Sequence, residues 1–230
     1  MKAIIAVCVL LLLGGCATGG QSNPPWLSLT EGSCAKLSGD QELSMNLADD
    51  MAKEGKLHAS LANLQSLPER YSQVQLRKAR IYRQLGRSEA EPLYRGLLGT
   101  CLSAEGEHGL GQLAAGRGDN TQAVAYLERA ARMAPTDDKI RNDLGVVYLN
   151  QLRLNEARFE FLTALELKQT DSLAALNLVT LLIYQDQWKQ ASELVTRAGL
   201  TPEQVSDAQS RAQALKTQAR PSSSQVAAIK

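Results

Sequence analysis

The chain has 230 residues, 44% of them hydrophobic, which is ample for a continuous core in one or two ordinary domains. Twenty-five basic and 24 acidic side chains leave a formal charge of +1, so electrostatics give no reason to expect nucleic acid or an acidic lipid surface as partner. Aromatics are only 4%, and Ala and Leu carry most of the burial, which suits close helix packing.

Met1 and Lys2 give a short positive start, Ala3 to Leu13 is an almost wholly apolar run, and Gly14-Gly15-Cys16 follows. At about 1.5 Å per residue that run is too short to cross a bilayer as a helix, so residues 1–15 read as an export signal. Leu13-Gly14-Gly15-Cys16 resembles the lipobox of bacterial lipoproteins. The resemblance implies cleavage before Cys16, a diacylglycerol on its sulfur and acylation of the new amino terminus. Because Ala17, not aspartate, follows the cysteine, it also implies the periplasmic face of the outer membrane in a Gram-negative bacterium. Residues 16–38 then form a lipid-anchored tether, rich in Gly, Ser, Asn and Pro over its first half. Some twenty flexible residues span about 25 Å, and Trp26 is expected to cover the exposed end of the first helix pair.

Cys8 leaves with the signal and Cys16 is used by lipid, which leaves Cys34 and Cys101. In an oxidising compartment the two can be bridged, or they can stay as two buried thiols; the sequence leaves both readings open. Neither has the close partner spacing of a metal site.

From residue 39 to 200 the chain repeats. Leu110, Leu144 and Leu178 recur at an interval of 34 residues, as do Ala123, Ala157 and Ala191, and Ala130, Ala164 and Ala198. Leu127, Phe161 and Val195 hold a bulky apolar position at the same interval. Small residues recurring beside large ones describe one helix pair stamped out repeatedly and packed on its neighbours. The best copies are 104–137, 138–171 and 172–205, with weaker ones around Gly55 and Gly86. Gly55, Gly86 and Gly118 are each placed just past a first helix, where a left-handed cap is needed. Thr201-Pro202 starts a further amphipathic helix over 201–219 carrying Val205, Ala208, Ala212 and Leu215, which covers the end of the stack. Residues 220–230 read as a disordered tail.

Leu144-Gly145 and Tyr148, then Ala157, Phe161 and Ala164, resemble the tetratricopeptide repeat, as do Leu110-Gly111, Ala123, Leu127, Ala130 and Pro135 one copy earlier. The opening tryptophan of that pattern is replaced by Glu107 and Arg141, its tyrosine by Ala114 and its late proline by Gln169. The resemblance implies an all-α solenoid of about five helix pairs with a C-terminal capping helix.

Nothing in the chain argues for catalysis, a cofactor, a metal or a small-molecule substrate. His58 and His108 are far apart, and the glycines at 106, 109, 111, 116 and 118 match neither a dinucleotide nor a phosphate-loop spacing. The expected function is recognition, on an inner wall formed by the first helix of each pair. Asn142, Val146, Leu149, Asn150, Leu173, Leu176, Asn177, Thr180, Ile183 and Tyr184 face outward from the repeat template there, with His108 and Gln112 upstream. They form a groove for a partner segment, or else some of them pack against the next pair or the last helix. The lysine and two asparagines by which some tetratricopeptide proteins hold a terminal carboxylate are replaced by His108, Gln112 and Asp143.

Lipobox and repeats together resemble the TadD-like lipoproteins of the Flp (tight adherence, Tad) pilus assembly system and are similar to type IV pilotins. That resemblance implies an assembly factor for the outer-membrane pilus secretin, with Cys16 as anchor and the groove as contact. The alternative is a tetratricopeptide lipoprotein adaptor that recruits periplasmic proteases or peptidoglycan hydrolases.

Overall fold

A computed structural model describes residues 34–170 and 172–219. The expected lipid site at Cys16, Trp26 and the 220–230 tail lie outside them. The described residues form eleven helices and no strand: α1 (Gly39–Lys53), α2 (Leu57–Gln65), α3 (Ser72–Gln84), α4 (Ala90–Gly96), α5 (Ser103–Gly116), α6 (Asn120–Met133), α7 (Asp138–Asn150), α8 (Leu154–Leu167), α9 (Ser172–Tyr184), α10 (Trp188–Ala198) and α11 (Pro202–Ala219). None is long and apolar enough to cross a membrane.

One turn joins the two helices of all five pairs, and the same bond closes α10, from Leu200 N–H to the Val195 carbonyl with Gly199 at φ 62°. The N–H of Lys56, Arg87, Asp119, Arg153 and Gln187 each donates to the carbonyl five residues earlier, on Met51, Tyr82, Ala114, Tyr148 and Leu182. A bond of that span closes a helix end only if the residue before its donor is left-handed. Those residues are Gly55, Gly86, Gly118, Leu152 and Asp186, with φ of 77°, 67°, 79°, 58° and 58°. The turn therefore persists in the last two copies although its glycine does not. Each turn joins a pair: α1–α2, α3–α4, α5–α6, α7–α8 and α9–α10.

The 34-residue rows are the packing slots of this stack. Ala123, Ala157 and Ala191 are buried where the two helices of a pair approach, and Leu127 and Phe161 fill the space beside them. A Cβ added to Gly145 would sit 2.6 Å from Cε1 of Phe161, and one added to Gly111 would sit 2.6 Å from Cγ of Leu127. The glycines are thus required by close approach and not by backbone conformation. From Ala114 to Leu215 the core is continuous, and smaller clusters lie under the first two pairs.

The substituted tryptophan positions hold buried ion pairs instead. Glu107 receives two hydrogen bonds from Arg129 of α6, both 2.8 Å, and the Arg129 guanidinium lies over the Tyr126 ring. One repeat later Arg141 donates to Glu160 of α8 at 3.1 Å. Burial raises the pKa of Glu160 above the ordinary carboxylate value, against the lowering pull of Arg141.

At the first end, Cys34 and Cys101 are joined by a disulfide across a sequence separation of 67, which ties the segment before α1 to the loop before α5. Gln73 also donates to the Ala35 carbonyl, and Leu37 is buried. The last residues of the expected 16–38 tether are therefore docked on the array. At the other end, residues 202–205 of the expected third copy already belong to α11. Thr201 and Gln204 cap its start reciprocally, and Ala208, Ala212 and Leu215 bury its inner face.

Candidate functional site

The first helices of the pairs carry a line of polar side chains from α5 to α11. His108 Nε2 lies 2.7 Å from Asp143 Oδ2, which also accepts from Gln112 at 2.7 Å. Asn142 donates to the other oxygen of Asp143 at 3.2 Å, and its own Oδ1 accepts from Asn177 at 2.8 Å. Asn177 Oδ1 in turn accepts from Arg211 of α11, again at 2.8 Å. Burial alone would raise the Asp143 carboxyl, but His108, Gln112 and Asn142 together hold it below its ordinary pKa. Burial pulls Arg211 below the usual arginine value.

This chain explains the departures at the carboxylate-binding positions. His108 and Gln112, which stand where a lysine and an asparagine grip an external carboxylate in some relatives, hold the internal carboxylate of Asp143. The protein satisfies those two side chains with the Asp143 carboxylate of its own next repeat.

The sequence-predicted groove residues divide into three groups. Asn142, Leu149, Asn177, Thr180 and Ile183 are buried, so they are structural and not accessible to a partner in this state. For Asn177, Thr180 and Ile183 the physical reason is α11, which packs along α9; a hydrogen bond draws Asn142 and Asn177 together, and Leu149 belongs to the main core. Val146, Leu176 and Tyr184 are half-buried against the core, whereas Asn150 and Leu173 are exposed. The apolar wall expected over 142–184 is thus narrower than the repeat template implies.

The open stretch of the inner wall lies one to two pairs earlier, on α3, α5 and the start of α7. A cleft of about 280 Å³ there is lined by Arg80, Arg83, His108, Gln112 and Lys139, among others. Arg83 and Gln112 also border an adjoining cleft of about 620 Å³ with Arg87 and Arg117. Sequence reasoning placed His108 and Gln112 on this wall and missed the arginines. Arg80, Arg83 and Arg87 follow i, i+3, i+7 spacing with no acidic residue three or four positions away from Arg80 or Arg83, and that unneutralised stripe was the available signal.

Among the described residues no group of three or more metal-ligating side chains lies together. What the geometry offers is a surface of guanidinium, ammonium, imidazole and amide donors held on rigid helices, suited to recognition.

A family model described as tetratricopeptide repeat matches residues 114–176, the stretch from the end of α5 into α9. The TPR repeat-containing protein PA4299 of Pseudomonas aeruginosa is 43% identical over 214 residues, which cover 92% of this chain and 85% of that one. Among solved structures, TTC0263, a thermophilic TPR protein of Thermus thermophilus, is similar with a TM-score of 0.57 at 19% identity, over 76% of this chain and 98% of that one. MamA of Desulfovibrio magneticus is similar with a TM-score of 0.54 at 16% identity, over 76% and 99%. These two likenesses are of fold alone. The repeated left-handed turn, the glycine contacts at 111 and 145, and the Pseudomonas relative agree: the chain belongs to the tetratricopeptide-repeat family, whose fold is a scaffold for protein–protein interaction.

Proposed function

We propose that this protein is a pilotin-like assembly factor for the outer-membrane secretin of a Flp/Tad pilus, held by lipid at Cys16 on the periplasmic face of the outer membrane. Two features support the reading. The leader ends in Leu13-Gly14-Gly15-Cys16, the sequence pattern of a lipid anchor. Behind it the array leaves α3, α5 and the start of α7 open while α11 covers α9, which favours recognition on the half of the wall nearer the anchor in sequence. The open wall is the observation that carries the reading, because a scaffold acts only through a face that its own chain does not fill. Several acyl chains on one residue give a durable anchor, each buried methylene contributing about 0.8 kcal/mol. Lipid supplies location and the wall supplies the partner.

The deciding experiment is the state of the secretin in cells lacking this protein. The expected result is loss of assembled secretin from the outer-membrane fraction, restored by the full chain and not by Cys16→Ala. Unchanged secretin multimers overturn the pilotin role. Co-purification of cell-wall hydrolases or periplasmic proteases in their place would establish the adaptor alternative.

A further inference from the structure

We infer that the cleft between α3, α5 and the start of α7 is the docking site for an acidic, extended polypeptide segment, gripped through Arg80, Arg83 and Lys139. The inference rests on the scaffold reading above and names the chemistry of the partner at that site.

The charge pattern is the first argument. Five cations line the two adjoining clefts, Arg80, Arg83, Arg87, Arg117 and Lys139; Arg117 is paired with Glu91 and Arg87 lies 3.9 Å from Glu89, so the surplus is carried by Arg80, Arg83 and Lys139. Three carboxylates face them, Glu91, Glu105 and Asp137, and two of these are committed. Glu91 is held by both Arg95 and Arg117, and Asp137 caps α7 through the backbone N–H groups of Lys139 and Ile140. The whole chain carries a formal charge of +1, so the surplus here is a local concentration and not a reflection of a basic protein.

The second argument is unsatisfied bonding capacity. Arg83 Nε is buried and has no hydrogen-bond partner. Arg80, Arg83 and Lys139 have no ion pair among the described residues, in a protein that pairs Arg77, Arg95, Arg129, Arg141 and Arg153. A buried guanidinium donor without an acceptor costs free energy that an incoming carboxylate recovers. Arg80 and Arg83 are three apart on α3 and so share one helical face, repelling each other until an anion lies between them.

The third argument concerns the source of the acid. The wall's own carboxylate, Asp143, is already occupied by His108 and Gln112. Outside the described residues, segments 1–33 and 220–230 contain one acidic side chain, Glu31. Asp171 is the one further acidic position outside the described residues, so these segments offer no acidic run to the cleft, which favours a segment supplied by a partner. Clefts of this size on helices that present side chains in rows fit an extended backbone better than a broad lipid surface.

The test is binding of a fluorescein-labelled octa-glutamate peptide to the full chain, followed by anisotropy. Saturable binding that weakens with salt is expected, with a loss of about tenfold or more in Arg80→Glu/Arg83→Glu and little change in Lys189→Glu/Arg197→Glu, which alters the charge equally on α10. Because Arg83 is half-buried, Arg80→Glu/Lys139→Glu, changed at two exposed positions, provides a second variant whose fold is not at risk. Absence of saturable binding to the wild type, or equal losses in the cleft and α10 variants, overturns the inference. So does tighter binding of phosphatidylglycerol vesicles or oligothymidylate through the same arginines, which would assign the cleft to lipid or nucleic acid. The two readings fail separately. Octa-glutamate gripped by the arginines in a protein whose loss leaves the secretin intact removes only the pilus role, and the reverse removes only the acidic segment.

Discussion

Arg211 donates to Asn177 Oδ1 at 2.8 Å, and through this bond the last helix is locked onto the first helix of the last pair. The neighbouring contact, Lys216 to Asp186, is more exposed and contributes little. Arg211→Ala leaves Asn177 Oδ1 short of a donor in a buried place, at a cost of about 1–3 kcal/mol. Hydrogen exchange is expected to show α11 losing protection first, ahead of α5 to α8. Full protection of α11 in the variant would mean that Ala208, Ala212 and Leu215 hold the helix without the polar bond.

Gly145 and Gly116 predict opposite signs for the same substitution. At Gly145 an added methyl meets the Phe161 ring at 2.6 Å, so Gly145→Ala forces a buried aromatic to move and destabilises by about 1–3 kcal/mol. At Gly116 nothing lies within 4 Å of the added carbon and the residue is helical, so Gly116→Ala stabilises by about 0.5–1 kcal/mol. Thermal melts of the two variants are the check, and a shared sign would show that the glycines are not distinguished by packing.

Leu152 stands where Gly118 stands one copy earlier and keeps a φ of 58°. A leucine in that region carries a strain of about 1–2 kcal/mol that glycine lacks. The side chain is 37% exposed, so its burial offsets only part of this. Leu152→Gly is expected to raise stability by about 0.5–1 kcal/mol despite the greater freedom of the unfolded glycine. Denaturant melts would show a higher midpoint at unchanged slope; a lower midpoint would mean that Leu152 packs more than it strains.

The repeat rows were readable because a slot between two helices accepts one size of side chain, whatever the rest of the copy does. Ala157 and Ala191 are buried, which favours a small side chain at both. The turn at Leu152 and Asp186 was not readable, because its geometry is imposed by packing of the flanking helices and outlasts the glycine that favours it. The inner wall was readable only in part. Facing outward from one hairpin means facing solvent only if nothing follows, and α11 follows α9, so Asn177 and Ile183 are buried while Leu173 remains exposed. Arg80 and Arg83 were not legible because they lie in a weak copy, and a stripe of unpaired cations leaves no trace in the apolar rows that mark the repeat. Glu107 and Arg141, which weaken the family pattern when read as missing tryptophans, are accounted for by Arg129 and Glu160 on the second helices.

Asp143 gives the array a defined response to acid. Burial opposes its charge, yet His108, Gln112 and Asn142 keep its folded pKa below the ordinary aspartate value. A carboxyl with a depressed folded pKa contributes stability that is fully present above its unfolded pKa and is lost as pH falls through the folded one. The window therefore opens near pH 4 and extends downward, and neutral to mildly acidic solutions leave the contribution intact. Asp143→Asn removes the titrating group and keeps a side chain able to accept from Gln112. The wild-type melting temperature is expected to fall more steeply than that of the variant between pH 5 and pH 3, with the difference appearing only below about pH 4. The other carboxyls with lowered pKa values, Glu69, Glu91, Glu156 and Glu203, are on the surface and contribute little to the slope. Parallel acid profiles for wild type and Asp143→Asn would show that the α5–α7 bond network carries no charge-dependent stability.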